Sequence, residues 1–216
     1  MSRLVGVLVL LLALTSPALG AEESWTRYVD QELGIRLSVP AGWQVTAAEP
    51  LLAQAIQSTQ QRGTETDTNA LQHAATRLIL SEHPIGAPVP FNPNLTLAVQ
   101  ALPQVARDAS PAKQGDIASD LLAAVDGLTR LTPIERLTVD GLVGVAAEYA
   151  VAQPAGPQQM MSLRVRVTAL IDAQHGRAFL LTATAPAAEF ARYAPLFQRC
   201  LDEVALVTQP QELSHR

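Results

Sequence analysis

Seven segments of the chain have the apolar patterns of β-strands. In the clearest of them apolar and polar residues alternate with a period of two, as in a strand with one buried face. The seven segments are residues 35–39, 77–81, 94–101, 135–139, 142–151, 160–171 and 177–185. Asp140-Gly141, between two of these segments, is typical of a two-residue hairpin turn. Because strands joined by tight turns pair antiparallel, the pattern predicts a largely antiparallel sheet.

Three further segments have the features of helices. The first, Glu49–Gln60, carries Pro50 in its first turn, where a missing N–H costs nothing. The second has Ser110 as N-cap and Pro111 as first helical residue, and is predicted to run to about Thr129. The third is predicted to begin near Pro186, with a kink or a restart at Pro195. Together with the strands, these helices predict one α+β domain in which helices cover the faces of the sheet.

Turn and loop residues fill the remaining segments. Pro40-Ala41-Gly42 predicts a tight turn, after which Trp43 is expected to pack at one end of the fold. Residues 84–93 contain four prolines, which predicts a stiff and exposed loop without regular structure. Shorter loops or turns are predicted at residues 62–69, 153–157 and 172–176.

The first twenty residues have the three parts of a cleavable export signal. Arg3 supplies positive charge, residues 4–14 are apolar, and Ala18-Leu19-Gly20 places small residues before the predicted cut. The apolar run is about half of the roughly 20 residues that a membrane span takes. Ala21 stands where an exported lipoprotein carries its lipid-bearing cysteine, so no anchor is predicted. We therefore expect a signal peptide over 1–20, a domain over 21–208, a flexible tail over 209–216, and a periplasmic or secreted protein.

The charge of the chain argues against two classes of partner, and its cysteine content excludes an internal disulfide. The chain of 216 residues has a formal net charge of −5 and no cluster of lysine or arginine. This argues against nucleic acid or an anionic membrane surface as a partner. With Cys200 as its single cysteine, the chain cannot form an internal disulfide. Because Cys200 lies within an apolar helical pattern, it is predicted to be buried as a small apolar side chain.

Three segments carry a likeness to a known family. Gly34–Trp43 combines a strand, a Pro-Ala-Gly turn and a tryptophan, and Asn92–Leu97 begins a strand with asparagine and leucine. Arg177–Phe197 combines a closing strand with an aromatic helix. In this order the three segments span most of residues 21–208 and resemble the PsbP-like superfamily. The resemblance implies an αβα sandwich built around an antiparallel sheet.

The resemblance also implies binding or assembly rather than catalysis. Members of the superfamily include photosystem accessory proteins, a Ran-binding nuclear factor, periplasmic lipoproteins of the DcrB type, and chaperones for secreted toxins. This chain differs from the lipoproteins because it has Ala21 in place of the lipidated cysteine, and from the chaperones because it has an export signal. The members bind such different partners that the resemblance does not identify one.

The sequence predicts no catalytic, cofactor-binding or metal-ligating residue. None of its histidines has a second ligand at helical spacing, and Glu82 and His83, as neighbours on a strand, would point to opposite faces. The four histidines are His73, His83, His175 and His215. Asp116 and Asp120 share one helix face, where they are interpreted as solvated rather than as an acid–base pair. The chain contains neither a Gly-x-Ser-x-Gly motif nor a glycine-rich phosphate loop.

Three functions stay open on this basis. The leading hypothesis is a non-catalytic exported protein that binds or assembles another envelope protein. The second is a module that binds a small ligand or lipid in the groove between sheet and helices, and the third is an enzyme. Converging titratable side chains would indicate an enzyme, and an apolar cavity a ligand carrier. An exposed apolar patch, or the proline-rich loop presented beside an open sheet edge, would indicate a protein-binding module.

Overall fold

The computed structural model describes residues 24–50, 76–123, 128–156 and 159–207. The predicted loop over 62–69 lies outside these ranges, as does the predicted helix over Glu49–Gln60 beyond its first two residues. The predicted signal peptide over 1–20, the tail over 209–216, His73 and His215 also lie outside them.

The described elements are five strands, two helices, five more strands, a helix and a last short strand. In chain order they are β1 (Trp25–Asp30), β2 (Ile35–Pro40), β3 (Gln44–Ala47), β4 (Thr76–Ser81), β5 (Asn94–Ala101), α1 (Gln104–Arg107), α2 (Pro111–Ala123), β6 (Thr129–Arg130), β7 (Glu135–Val139), β8 (Leu142–Gly156), β9 (Gln159–Asp172), β10 (Arg177–Pro186), α3 (Phe190–Asp202) and β11 (Ala205–Leu206). All seven predicted strand segments are present, within β2, β4, β5, β7, β8, β9 and β10.

A large sheet forms the centre of the molecule. Its strand order is β3-β4-β5-β10-β9-β8-β6, and β7 also pairs with β8. A smaller sheet has the order β1-β2-β11. Every pairing among the described strands is antiparallel. The predicted α+β class with a mostly antiparallel sheet is therefore confirmed.

Both faces of the central sheet are covered, which makes the fold an αβα sandwich. On one face, α1 and α2 enclose a core that includes Val145 and Val167. On the other face, α3 and the small sheet enclose a core that includes Leu170 and the fully buried Phe179. Burial of a side chain such as Phe179 stabilises the fold by about 1.5–3 kcal/mol. Because side chains alternate along a strand, Arg164 and Arg166 lie on the α3 face while Val165 and Val167 lie on the α2 face.

Two predicted tight turns have the backbone dihedral angles that their residues favour. Trp43 N–H donates to Pro40 O at 3.1 Å, and Gly42 between them has a φ of 81°. Asp140 and Gly141 have φ values of 47° and 80°, and both must be positive in a type I′ hairpin turn. The first turn leads the chain from β2 of the small sheet to β3 of the large one, and the second fixes the register of β7 with β8.

Two predicted boundaries in the middle of the chain are wrong. The second helix was expected to reach Thr129, but Thr129 begins β6, because Thr129 pairs with Ala150 of β8. A turn was expected over 153–157, but β8 continues to Gly156 and pairs with β9 through Pro154. Among the described strands, this end of β8 has no second neighbour, and a proline is tolerated on an edge strand.

The last helix is shorter than the sequence indicates. Glu189 N–H donates to Pro186 O at 2.9 Å and closes a turn. Because of this turn the helix begins at Phe190 and not near Pro186. Pro195 lies inside α3, which continues through it without a restart. After Asp202 the chain adds β11 to the small sheet, a strand that was not predicted. Within the described ranges, no helix has both the length and the apolar sequence that crossing a membrane takes.

Candidate binding surface beside the last helix

α3 buries an aromatic face against the sheet. Phe190, Tyr193 and Phe197 are three and four residues apart, so they lie on one side of the helix and are buried there. The ring of Trp43 joins them, with its centroid 6.4 Å from that of Tyr193 and 6.0 Å from that of Phe197. We call these four side chains the aromatic cluster. Aromatic pairs at such distances contribute about 0.5–1.5 kcal/mol beyond their burial, so the cluster fixes α3 in place.

A groove opens beside this cluster, at the end of the large sheet where four of its strands begin or end. β3 and β5 begin there and β4 and β10 end there, because neighbouring strands are antiparallel. At this end of the sheet the Pro40–Trp43 turn comes close to Glu82, which follows β4. The first half of α3 lies over both. Two adjoining cavities of about 370 and 520 Å³ result, and both are lined by Glu82, Arg192 and Tyr193. We call them together the Glu82 groove.

The polar centre of the Glu82 groove is a carboxylate held by a phenol. The Tyr193 hydroxyl donates to Glu82 Oε2 at 2.6 Å. Burial, and then this hydrogen bond, raises the pKa of Tyr193 to about 12, so its hydroxyl stays protonated at neutral pH. Glu82 Oε1 lies 4.0 Å from Arg192 Nη2, beyond hydrogen-bonding distance. This oxygen can therefore accept a hydrogen bond from a bound partner.

The proline-rich loop over 84–93 forms one wall of the Glu82 groove and is tied at its base. His83 N–H donates to Asn92 Oδ1 at 3.0 Å, and Asn92 Nδ2 donates back to His83 O at 2.7 Å. Glu82 N–H donates to Pro93 O at 3.2 Å. These bonds join the two ends of the loop, and its four prolines restrict the backbone between them. The loop has no helix or strand, as predicted, and is a stiff surface feature.

The architecture and its grooves can be compared with solved structures. No known protein family matches the sequence, and no curated protein matches it. The crystal structure of LpqN, described as involved in cell envelope biogenesis of Mycobacterium tuberculosis, superposes with a TM-score of 0.53 at 13% identity. The match covers 87% of this chain and 93% of LpqN. This chain has the PsbP-like fold.

Two weaker likenesses have TM-scores below 0.5. Cyanobacterial PsbP from Synechocystis sp. PCC 6803 gives 0.47 at 13% identity, over 89% of this chain and 98% of that one. The Ran-binding protein Mog1p of Saccharomyces cerevisiae gives 0.44 at 14% identity, over 86% and 96%. At these TM-scores neither likeness supports a further conclusion.

The PsbP-like fold separates the two described histidines. His83 borders the Glu82 groove, with Nε2 3.9 Å from Glu82 Oε2. His175 lies at the other end of β10, in the turn over 173–176 that the sequence predicts. There its Nδ1 is 2.8 Å from Asp172 Oδ2, and Arg177 Nε donates to the same oxygen at 2.9 Å. Asp172 is only 2% exposed, so the guanidinium of Arg177 compensates a buried carboxylate, and the His175 ring lies against it as a second polar contact.

The other residues considered from the sequence belong to neither of these two groups at the ends of β10. Asp116 and Asp120 are exposed, as predicted, and Asp116 pairs with Arg136 at 2.7 Å. Cys200 is 1% exposed, and burial, then the charge of Glu203, raises its pKa to about 12. It is thus a buried and unreactive thiol, as predicted. Over the described part of the chain, no three His, Cys, Asp or Glu side chains are grouped so that they could hold a metal ion.

Proposed function

We propose that this chain is an exported, non-catalytic protein of the cell envelope that binds another protein through the Glu82 groove and the proline-rich loop. The observation that carries the proposal is the preformed groove itself. A loop tied by Asn92 stands on one side of it and the aromatic cluster on the other. A rigid surface loses little conformational freedom when a partner binds, which favours affinity.

The chemistry of the groove fits a protein partner better than a reaction. Its carboxylate and phenol are bonded to each other, and the raised pKa of Tyr193 keeps the phenol protonated. A nucleophile is activated when its pKa is lowered, whereas the pKa of Tyr193 is raised, so the pair is not poised for nucleophilic catalysis. Glu82 Oε1 instead offers an acceptor for a lysine, an arginine or a backbone N–H. The exposed Ile85, near the start of the loop, adds an apolar contact.

The proposed location rests on two observations of different kinds. Residues 1–20 have the charged, apolar and small-residue parts of an export signal. LpqN, which shares the fold, is described as involved in cell envelope biogenesis. The second observation is an analogy of fold, so it supports the compartment and not a particular partner.

Photo-crosslinking in intact cells tests the proposal. A crosslinking amino acid is placed at the exposed Ile85 of the proline-rich loop. The matched control position is Val105, which follows the opposite end of β5 and is 77% exposed. We expect one dominant crosslinked protein from position 85 and none from position 105. The same products from both positions, or none from position 85, would contradict the proposed surface. Mass spectrometry of the purified chain tests export separately, since cleavage leaves Ala21 as the first residue.

A further inference from the structure

A second groove lies on the other side of α3 and has a charged floor. Strands β8 and β9 continue past the helix there, and register places Glu148 opposite Arg166 and Ala150 opposite Arg164. All four residues are on the α3 face of the sheet, because paired residues share a face and faces alternate along each strand. The cavity above them has a volume of about 490 Å³. We call it the arginine groove.

The charges of the three ionisable side chains on the floor do not cancel. Arg164 Nε donates to Glu148 Oε2 at 2.7 Å, and its Nη2 contacts the same oxygen. Arg166 Nη1 is 3.5 Å from Glu148 Oε1, too far for a strong hydrogen bond. Two guanidiniums thus share one carboxylate, which leaves a formal charge of +1 in a chain whose net charge is −5.

One hydrogen-bond donor on the floor of the arginine groove has no acceptor among the described residues. The Nε atom of Arg166 is buried and has no hydrogen-bond partner among the described residues. A buried N–H of a cation that lacks an acceptor is costly, so buried polar groups are nearly always paired. Holding β8 to β9 does not require this second arginine, because the strands are already joined by their backbone pairing and by Arg164 with Glu148. The guanidinium of Arg166 is therefore under-bonded, and because its side chain is 24% exposed, an acceptor supplied by a ligand can reach it from the groove.

The wall of the arginine groove is apolar and partly aromatic. Phe190, Ala194, Pro195 and Phe197 of α3 line it. The guanidinium of Arg164 lies 5.1 Å from the centroid of the Phe190 ring, a cation–π contact that holds it beside the wall. The amino end of α3 adds partial positive charge at Phe190 and Ala191, since its first turn has no acidic residue and Glu189 makes no capping bond.

We propose that the arginine groove binds a small molecule with one carboxylate and an apolar or aromatic body. The carboxylate bonds to the guanidinium of Arg166 and neutralises the excess charge, and the body packs on Ala194 and Pro195. A guanidinium presents its N–H groups in the planar fork that a carboxylate matches, and one negative charge equals the local excess. A volume of about 490 Å³ is in the range of small-ligand sites. This binding is separate from the partner-binding role of the Glu82 groove.

Nuclear magnetic resonance titration with two matched probes tests the proposal on the unaltered chain. Phenylacetate carries the proposed carboxylate and ring, and phenylacetamide has the same shape without charge. We expect phenylacetate to shift the amide signals of β8, β9 and α3, and to bind at least about tenfold more tightly than phenylacetamide. Equal binding of the two probes, or no binding of phenylacetate, would overturn the proposal. Tighter binding of phenyl phosphate than of phenylacetate would overturn the assignment to a carboxylate.

Variants locate the site. Arg166→Gln is expected to weaken phenylacetate binding by about tenfold or more, and Arg166→Lys, which keeps the charge but loses the fork, by a smaller factor. Arg77→Gln removes an exposed arginine of β4 and is the matched control, expected to leave the affinity unchanged. Wild-type affinity in a folded Arg166→Gln variant would refute the assigned floor, whatever the outcome of crosslinking at Ile85.

Discussion

The Glu82 groove and the arginine groove flank the same helix, and Pro195 lines both. In the Glu82 groove a carboxylate accepts a hydrogen bond from a phenol, and its walls are a tied loop and aromatic rings. In the arginine groove two guanidiniums share one carboxylate, and one buried N–H stays unpaired. The difference shows how one amphipathic helix can border two surfaces of opposite character, one suited to a protein surface and the other to an anion.

The largest expected effect comes from the side chain that supports both grooves. Phe197 lines the arginine groove and also packs edge-on against Trp43 and tilted against Tyr193 of the Glu82 groove. Phe197→Ala should lower the free energy of unfolding by about 3–5 kcal/mol, because it leaves a cavity under α3. Urea denaturation measures the change. Val105→Ala, at an exposed position, is the control and should stay within about 0.5 kcal/mol of wild type. A small loss at Phe197 would mean that the two grooves are not joined through the cluster.

Glu148→Gln should separate stability from binding in the arginine groove. Without the carboxylate, two guanidiniums in a partly buried groove repel each other, and the free energy of unfolding should fall by about 1–3 kcal/mol. The loss should shrink as sodium chloride screens the repulsion. The affinity for phenylacetate should rise by up to about tenfold, since the local charge goes from +1 to +2. A variant whose affinity falls instead would show that Glu148 contacts the ligand and that the floor has been misassigned.

Tyr193→Phe tests the polar centre of the Glu82 groove. Loss of the bond to Glu82 should cost about 1 kcal/mol at neutral pH. In the folded state the pKa of Tyr193 is raised from 10.0 to about 12, so the unfolded chain releases this proton first. The stability that the protonated phenol contributes is therefore complete below pH 10 and is lost as the pH rises through 12. Wild type should lose stability in this window more steeply than the variant, and equal slopes would exclude a raised pKa.

Tyr28→Phe is the matched control for this pH dependence. Burial, and then the charge of Asp30, also raises the pKa of Tyr28, which lies on β1 outside both grooves. The steepness of the pH dependence that this variant removes comes from burial and the charge of Asp30, without a hydrogen bond like that to Glu82. A larger change for Tyr193→Phe than for Tyr28→Phe assigns the excess to the Glu82 groove.

The parts of this fold that the sequence predicts are those with local causes. The Asp140-Gly141 turn, the alternating strands and the proline-rich loop each depend on neighbouring residues, and all three are confirmed. The strand β11 was missed because two residues carry no period, and it forms only by pairing with Arg36 and Ile35. The end of α2 and the start of α3 were misplaced because pairing of Thr129 and a turn after Pro186 decide them.

The two grooves show why sites are harder to predict than strands. Tyr193 and Glu82 are 111 residues apart, and no local pattern links a tyrosine in a helix to a glutamate after a strand. Glu148, Arg164 and Arg166 did leave a signal, since polar residues alternate with apolar ones along β8 and β9. Read from sequence, such a face is assigned to solvent. It becomes a groove only because α3 packs beside it, and that depends on the tertiary fold.

The smallest expected effect concerns α3 itself and decides whether the two grooves are independent. The raised pKa of Cys200 leaves almost no thiolate, so labelling by a disulfide reagent at pH 8 should be at least about a hundredfold slower than in urea. If both grooves are preformed, saturating phenylacetate should change this rate by less than about twofold. Faster labelling with ligand would show that α3 leaves the sheet on binding. The occupant of the arginine groove would then alter the Glu82 groove as well, because Tyr193 and Cys200 are carried by one helix.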